Sequence, residues 1–211
     1  MKTFIKYRLS CLGLLPIFDF IRRLPAVVHW INSGCINAAP PPIKRIVLKS
    51  YLNRYGLTHF IETGTYHGDT LAYIAQQKKV HSISIELNKS YYQAAKLRFD
   101  RYPNVTLLNG DSGTLLPDLL LQLQTPTLFW LDGHYSGGET GRGEENTPIL
   151  AELDSILNSP VKGHVILIDD ARCFDGTQDY PYLDQLLETI RRDKKYLVEV
   201  SVDIIRLTPQ N

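Results

Sequence analysis

The sequence has little cysteine and no excess of charge of one sign. Its three cysteines, Cys11, Cys35 and Cys173, lie far apart and form no Cys-x-x-Cys pair. This spacing argues against a disulfide scaffold and a zinc knuckle, and it favours a reducing compartment, so we expect a cytoplasmic protein. The 23 Lys and Arg residues are balanced by 22 Asp and Glu residues, which gives a formal net charge of +1. Because no broad basic face is available, nucleic acid is not an expected partner.

A long hydrophobic run is also lacking. The most apolar stretch, Leu9–Ile21, superficially resembles a secretion signal, but it contains Pro16 and Asp19 and continues directly into Arg22 and Arg23. It is shorter than the roughly 20 residues that cross a bilayer. We therefore predict an amphipathic cap on the domain, with weak contact to a membrane or to a partner protein as the alternative.

The sequence does contain enough apolar material for one folded domain. Of its 211 residues, 44% are hydrophobic and 10% are aromatic, which is typical of a chain with a sizeable core. The three consecutive prolines Pro40–Pro42 cannot continue a helix or donate to a sheet. We therefore predict an N-terminal helical arm with a proline-rich linker over residues 1–42, followed by a folded body over residues 43–211.

The body alternates between strand-like and helical patterns. Helical stripes are clear in Tyr182–Arg192 and in Thr147–Asn158, which begins with a capping threonine and a proline at the first helical position. Alternation of this kind builds parallel β-α-β units with helices on both faces of the sheet. The strand-like runs are Thr58–Glu62, Val80–Glu86, Val105–Gly110, Thr127–Asp132 and His164–Asp169.

The C-terminal region departs from this alternation. Tyr196–Val200 and Asp203–Leu207 are separated only by Ser201 and Val202, which leaves no room for a helix. The two runs should form an antiparallel pair at one edge of the sheet. The predicted fold class is therefore α/β: a Rossmann-like, doubly wound sheet of seven strands, mostly parallel, with a C-terminal antiparallel β-hairpin.

Acidic residues follow the five predicted parallel strands, at the point where each strand ends. The first four are spaced by 24, 25 and 21 residues, about one β-α unit each. One such acid is most simply a helix cap, but the carboxyl ends of parallel strands share one edge, where ligands bind. Five acids on that edge therefore predict a functional site. They are Glu62, Glu86, Asp111, Asp132 and Asp169.

The loop after the first strand is rich in glycine. Gly64 would let the backbone approach a ligand, and Gly68 would let the next helix begin close to the sheet. A dinucleotide fingerprint would need glycine at position 66, where Tyr66 stands. Glu86, 22 residues after Gly64, suits a ribose diol, which NAD and S-adenosylmethionine both carry. Glu62 suits a cationic amino-acid group better than a pyrophosphate.

These motifs resemble class I S-adenosylmethionine-dependent methyltransferases over roughly residues 55–208. The glycine loop Glu62–Gly68 is similar to the Glu-x-Gly-x-Tyr-x-Gly of the metal-dependent catechol O-methyltransferase group. The blocks Leu131–Ser136 and Ile168–Arg172 resemble a group of bacterial methyltransferase-like proteins of unassigned substrate. The resemblance implies that the first acids and glycines hold the methionine and ribose parts and that the third strand end borders the adenine. The implied cofactor-binding residues are Glu62, Gly64, Thr65, Gly68, Glu86, Asp111, Ser112 and Asp132.

The resemblance also raises the question of a metal. Catechol-type enzymes hold magnesium with an acid after the fourth strand and an Asp-Asn pair after the fifth, and Asp132, Asp169 and Asp170 stand at the matching places. These hard oxygen ligands suit magnesium. Aspartate replaces asparagine at 170, however, and the catalytic lysine of that group has no evident counterpart. We therefore assign the catalytic roles to Asp132 and to His134, whose ordinary pKa suits removal of a hydroxyl proton.

The segment 133–146 predicts an acceptor-binding loop. It carries five glycines and Arg142, which suits a carboxylate or phosphate; a surface excursion without function is the alternative. Tyr135 and Arg172 are the other predicted substrate-binding residues. Trp130 and Phe174 are candidates for the pocket wall, although Trp130 inside a strand favours the core, and Cys173 is interpreted as packing.

The predicted activity is transfer of the methyl group of S-adenosylmethionine to an oxygen, less readily a nitrogen, of a small molecule or sugar. Two alternatives remain open. A nicotinamide-binding oxidoreductase is disfavoured by Tyr66 and by the closing hairpin. A non-catalytic binding protein would keep the sheet and dock through the N-terminal arm. The sequence does not indicate an oligomeric state.

Overall fold

A seven-stranded mixed sheet forms the centre of the molecule, in the order β3-β2-β1-β4-β5-β7-β6. The computed structural model describes residues 15–35, 38–133, 147–192 and 195–210. The first five strands run parallel, and β7 pairs antiparallel with both β5 and β6. The predicted fold class is confirmed. The strands are β1 His59–Thr63, β2 His81–Glu86, β3 Val105–Asn109, β4 Leu128–Leu131, β5 Val165–Ile168, β6 Tyr196–Ser201 and β7 Ile204–Pro209.

Helices connect the strands and cover both faces of the sheet. A 3₁₀ turn, Ala171–Cys173, follows β5. Among the described residues, no helix is both long and apolar enough to cross a membrane. The α-helices are α1 Leu15–Asn32, α2 Pro41–Arg54, α3 Asp69–Ile74, α4 Lys89–Phe99, α5 Ser112–Gln122, α6 Ile149–Leu157 and α7 Leu183–Arg192.

The two faces of the sheet carry separate apolar clusters because successive strand residues point to opposite sides. In β4, Phe129 and Leu131 pack with α5, α6 and α7, whereas Leu128 and Trp130 pack with α2 and α3. All four side chains are buried. This double coverage explains why the central strands are apolar throughout, and it leaves the strand ends as the place where polar side chains can collect.

The prolines that suggested a linker begin a helix instead. Pro40 is the N-cap of α2, and Pro41 and Pro42 lie in its first turn, where the missing backbone N–H has no intrahelical partner to lose. Val27 and Trp30 of α1 are buried. The division of the chain at residue 42 stays a prediction, but the first turn of α2 lies against the sheet edge described below.

Two local predictions are corrected. Helix α6 has Pro148 as its N-cap and begins at Ile149, and the Thr147 hydroxyl accepts a hydrogen bond from the Ile149 amide at 3.4 Å, so threonine precedes the cap. In the hairpin, Asp203 belongs to the turn, not to β7. Val202 and Asp203 have φ of 59° and 60°, the conformation of the tight turn that matches the twist of paired strands.

Candidate functional site

The glycine loop is pressed against the end of β4. Gly64 has a φ of +85°, and a Cβ at this position would lie 2.4 Å from the backbone oxygen of Asp132. The Gly64 amide donates to the oxygen of Ile85 at 2.9 Å. Only glycine satisfies both the left-handed conformation and this close approach. The turn is therefore held between β2 and β4, at the sheet edge where the sequence predicts a ligand-binding site.

The far end of the same loop is closed by the start of α3. Gly68 is the N-cap of α3 with a φ of +70°, and a Cβ there would lie 2.7 Å from Phe99. Thr65 is buried, and its hydroxyl lies 2.6 Å from that of Ser84 on β2. The predicted cofactor residues Gly64, Thr65 and Gly68 thus form one ordered turn.

Glu62 lies under this turn and is 2% exposed. The Ser84 hydroxyl donates to its Oε2 at 2.8 Å. Burial raises the pKa of Glu62 to about 8, against smaller lowering effects from the Ser84 hydrogen bond and the Arg45 charge. Glu62 therefore holds a proton near neutral pH, and a cation placed beside it would favour release of that proton.

Glu86, at the end of β2, is oriented by the backbone. The Tyr66 amide donates to its Oε2 at 2.7 Å, and the Asn88 amide donates to its Oε1 at 2.8 Å. Each carboxylate oxygen has two lone pairs, so each can accept one further hydrogen bond. Two adjacent acceptors held at a strand end suit a vicinal diol.

Asp111 caps a helix, which is the simplest role expected of a single acid at a strand end. It is the N-cap of α5, and its Oδ1 accepts from the Thr114 amide at 2.9 Å and from the Thr114 hydroxyl at 3.1 Å. Ser112, the first residue of α5, is buried. Both residues lie beside the carboxyl end of β3, next to that of β2, so the sheet brings them to the edge that holds Glu86.

Asp132 follows β4 and connects the glycine loop with the acids after β5. Its amide donates to the backbone oxygen of Thr63 at 3.2 Å. Burial raises the pKa of its carboxyl well above the ordinary value, the charge of Asp169 adds to this rise, and the charge of Lys44 opposes it. Asp132 therefore shares its electrostatic environment with the other predicted metal ligands.

Asp169 and Asp170 are bound by a lysine that is distant from them in the sequence. The Lys44 ammonium in the first turn of α2 lies 2.6 Å from Asp169 Oδ1 and 2.9 Å from Asp170 Oδ1. Burial raises the pKa of Asp169 to about 6, although the Lys44 charge opposes the rise. The same pair raises the pKa of Lys44 against the lowering effect of its own burial. The three groups form one ion-pair cluster.

Arg172 extends this cluster to the turn between β6 and β7. Its Nη1 lies 2.8 Å from Asp170 Oδ1 and also contacts the carboxylate of Asp203. Among the described residues, the carboxylates close enough to hold one ion are Asp169, Asp170 and Asp203, with atoms within 4.8 Å of one another. Asp132 does not belong to that group. The guanidinium of Arg172 is engaged by two carboxylates. Its role in substrate binding stays a prediction.

Several predicted residues fall outside the described residues. These are His134, Tyr135 and Arg142, which belong to the predicted acceptor-binding loop 133–146; Gly133 is the one residue of that loop among the described residues. Trp130 and Phe174 are buried in the two apolar clusters, which confirms the core interpretation of Trp130. Cys173 is partly buried.

Three residues of this edge were missed by the sequence analysis. Ser84 binds Glu62, Lys44 binds the Asp pair, and Glu152 on α6 is 1% exposed, with Oε1 3.5 Å from where a Cβ on Gly133 would lie. Glu152 carried a signal, since an acid on the buried face of an amphipathic helix is unusual. Lys44 carried none, because its partners are 125 and 126 residues away.

Solved methyltransferases superpose on this chain over most of its length. The O-methyltransferase TomG from Streptomyces achromogenes, involved in tomaymycin synthesis and solved with S-adenosylmethionine, is 15% identical, over 89% of this chain and 88% of that chain, with a TM-score of 0.61. The chain has the class I methyltransferase fold. An O-methyltransferase from Bacillus cereus, solved with S-adenosylhomocysteine, is 16% identical over 89% and 90% of the two chains, with a TM-score of 0.59.

The same fold also occurs in an enzyme whose name refers to RNA. The 23S rRNA methyltransferase ErmE is 16% identical, over 82% of this chain and 70% of that chain, with a TM-score of 0.55. No family model matches the sequence, and no curated protein matches it. The fold by itself therefore does not choose the acceptor.

Proposed function

We propose that this protein is an enzyme that transfers the methyl group of S-adenosylmethionine to an oxygen of a small molecule or sugar. The observation that carries the proposal is the pair of acids at the ends of β1 and β2. Glu86 has two carboxylate oxygens, each bound by one backbone amide, that would bind a ribose diol. The resemblance in sequence and the likeness in fold to solved O-methyltransferases support the same cofactor.

Glu62 is the residue that we assign to the methionine part of the cofactor. It is buried and carries a proton near neutral pH, and the ammonium of an amino acid would stabilise its ionised form. A pyrophosphate carries no cation that would stabilise this form. A buried acid that ionises beside a cation favours S-adenosylmethionine over a nicotinamide dinucleotide, as does Tyr66 at the position where the dinucleotide fingerprint has glycine.

The chain's own contribution to the reaction is positioning and proton removal. The bound cofactor supplies an activated methyl group, and the acceptor oxygen must approach that group in line. The rigid turn at Gly64 and the carboxylate of Glu86 would hold the cofactor at the end of β2, beside β4. We assign removal of the acceptor proton to His134 with help from Asp132, and acceptor binding to Tyr135, Arg142 and Arg172.

A small acceptor is favoured by the charge of the chain. The net charge of +1 provides no broad basic surface for an RNA backbone, although ErmE shows that the fold admits such substrates. A cytoplasmic location stays a prediction, as does weak contact of the N-terminal arm with a membrane or a partner.

Thermal unfolding with S-adenosylhomocysteine tests the proposed cofactor. A ligand bound only by the folded protein raises Tm, so we expect a rise with S-adenosylhomocysteine and none with NADH. Glu86→Gln should weaken binding about 10- to 100-fold by calorimetry, because two hydrogen bonds to a charged group are altered. Asp118→Ala, an exposed acid on α5, is the matched control and should bind as the unmodified protein does.

The outcomes separate the three candidate functions. Stabilisation by NADH would favour the oxidoreductase. Binding of S-adenosylmethionine without methyl transfer to any member of a panel of hydroxylated acceptors would favour the non-catalytic protein. Unchanged affinity in Glu86→Gln would contradict the assignment of the ribose site.

A further inference from the structure

The two acids after β5 hold a cation that belongs to the chain. The Lys44 ammonium lies 2.6 and 2.7 Å from the two carboxylate oxygens of Asp169 and 2.9 Å from Asp170 Oδ1. The side chains of Lys44, Asp169 and Asp170 are 15%, 4% and 11% exposed. This is a nearly dry ion-pair cluster, which differs from a surface salt bridge because solvent screens it little.

A second cation contacts two carboxylates of this cluster. Arg172 contacts both Asp170 and Asp203. The three carboxylates that lie close enough to hold one ion therefore face two positive side chains. The backbone fixes this arrangement further, because the Asp170 amide donates to Asp169 Oδ1 at 2.8 Å and the Arg172 amide donates to Asp203 Oδ1 at 3.0 Å.

A divalent ion does not fit this arrangement. Magnesium requires oxygen ligands at about 2.0–2.1 Å in a near-octahedral shell. Both oxygens of Asp169 and the Oδ1 of Asp170 are already in contact with the Lys44 ammonium. An ion on the same oxygens would lie within a few ångströms of that ammonium, and like charges at this separation repel.

We propose that the Lys44 ammonium takes the place of the divalent cation at this edge, so that Asp169 and Asp170 are bound by the chain itself and the protein binds no magnesium there. The inference deepens the proposed function by making the methyl transfer independent of divalent ions. Its geometric part, the occupation of the acids by Lys44, can be tested without any acceptor or activity.

The test measures binding of Mn²⁺ by electron paramagnetic resonance and Tm with and without Mg²⁺, after treatment with chelator. The unmodified protein should bind no Mn²⁺ and show no shift in Tm. Lys44→Gln removes the charge and should create a site for one Mn²⁺, with a rise in Tm of about 5 °C or more at saturating Mg²⁺. Asp169→Asn in the Lys44→Gln background should abolish both gains.

Two controls isolate the charge at position 44. Lys44→Arg keeps a cation and should behave as the unmodified protein does. Lys49→Gln removes an exposed lysine from the same helix and should create no site. Binding of one Mn²⁺ by the unmodified protein, lost in Asp169→Asn, would overturn the proposal. So would a folded Lys44→Gln protein that gains no ion.

The design remains decisive if Lys44→Gln does not fold, since Mn²⁺ binding by the unmodified protein then decides alone: one Asp169-dependent ion overturns the proposal and no ion supports it. The S-adenosylhomocysteine measurement keeps the two proposals apart. A protein that binds neither Mn²⁺ nor S-adenosylhomocysteine contradicts the proposed function and leaves the role of Lys44 intact. A protein that binds both contradicts only the role of Lys44.

Discussion

Two groups of acids on one sheet edge have opposite kinds of partner. At the ends of β1 and β2, Glu62 and Glu86 are held by uncharged donors, a serine hydroxyl and two backbone amides. After β5, Asp169 and Asp170 are held by the cations of Lys44 and Arg172. The first pair can therefore gain from a ligand's charge or hydroxyls, whereas the second pair already has cations of the chain as partners. The role of an acid on this edge depends on its partners more than on its place at a strand end.

Gly64 lies between the first group and the end of β4, and replacing it should have the largest effect. In Gly64→Ala the new Cβ would overlap the backbone oxygen of Asp132 at a φ of +85°, which combines a steric clash with backbone strain. We expect a loss of about 3–5 kcal/mol in the free energy of unfolding, measured by urea denaturation. Gly56→Ala is the control. Its φ is +61° with nothing within 4 Å, so only about 1 kcal/mol should be lost. Equal losses in both variants would show that the loop can move away from β4.

Glu62 should make cofactor binding depend on pH. Its pKa in the free protein is raised to about 8 by burial, and binding of an ammonium requires its ionised form. Below pH 8, binding must therefore release a proton, and affinity for S-adenosylhomocysteine should rise about tenfold per pH unit between pH 6 and 8. Calorimetry in two buffers with different ionisation enthalpies would measure the proton directly.

Glu62→Gln is the control for this pH dependence. Glutamine resembles the protonated acid, so the variant should fold, bind more weakly at pH 8 and lose the pH slope. Stability should respond in the opposite direction: the unfolded chain loses this proton near pH 4.5 and the folded protein only near 8. The contribution of Glu62 to stability therefore falls as pH rises through that window. An unchanged dependence of cofactor affinity on pH in Glu62→Gln would contradict the assignment of Glu62 to the methionine part of the cofactor.

The smallest expected effect concerns Asp111, which serves as a cap and is predicted to border the adenine. Asp111→Ala removes the acceptor for the Thr114 amide and should lower the free energy of unfolding by about 1 kcal/mol. Asn caps helices about as well as Asp, so Asp111→Asn should restore stability but not affinity for S-adenosylhomocysteine. If Asp111→Asn restores both, capping is the whole role of this residue.

The sequence predicted what depends on local periodicity. Alternation of strand-like and helical patterns gave the parallel strands, and the short spacing between Tyr196–Val200 and Asp203–Leu207 gave the antiparallel hairpin. Because the ends of parallel strands meet at one edge, the acids there could also be named in advance. The glycine at position 64 was expected to lie close to a ligand, and the structure adds that it lies against the backbone of Asp132.

The partners of those acids could not be predicted from the sequence. Lys44 meets Asp169 across 125 residues, a contact made by folding that leaves no periodic signal. The proline run predicts a boundary because proline cannot continue a helix or donate to a sheet, yet Pro41 and Pro42 begin the helix that carries Lys44. The sequence left helix capping as an alternative role for Asp111, and only the hydrogen bonds of its side chain could establish that role.

The turn between β6 and β7 has a consequence for the order in which the molecule is built. Asp203 in this turn accepts hydrogen bonds from the Ala171 and Arg172 amides and contacts the Arg172 side chain. Strand β7 also lies between β5 and β6. During synthesis, Lys44 and Asp169 are both added to the chain before Asp203. The contacts of Asp203 therefore cannot form on a growing chain until the turn between β6 and β7 has been made.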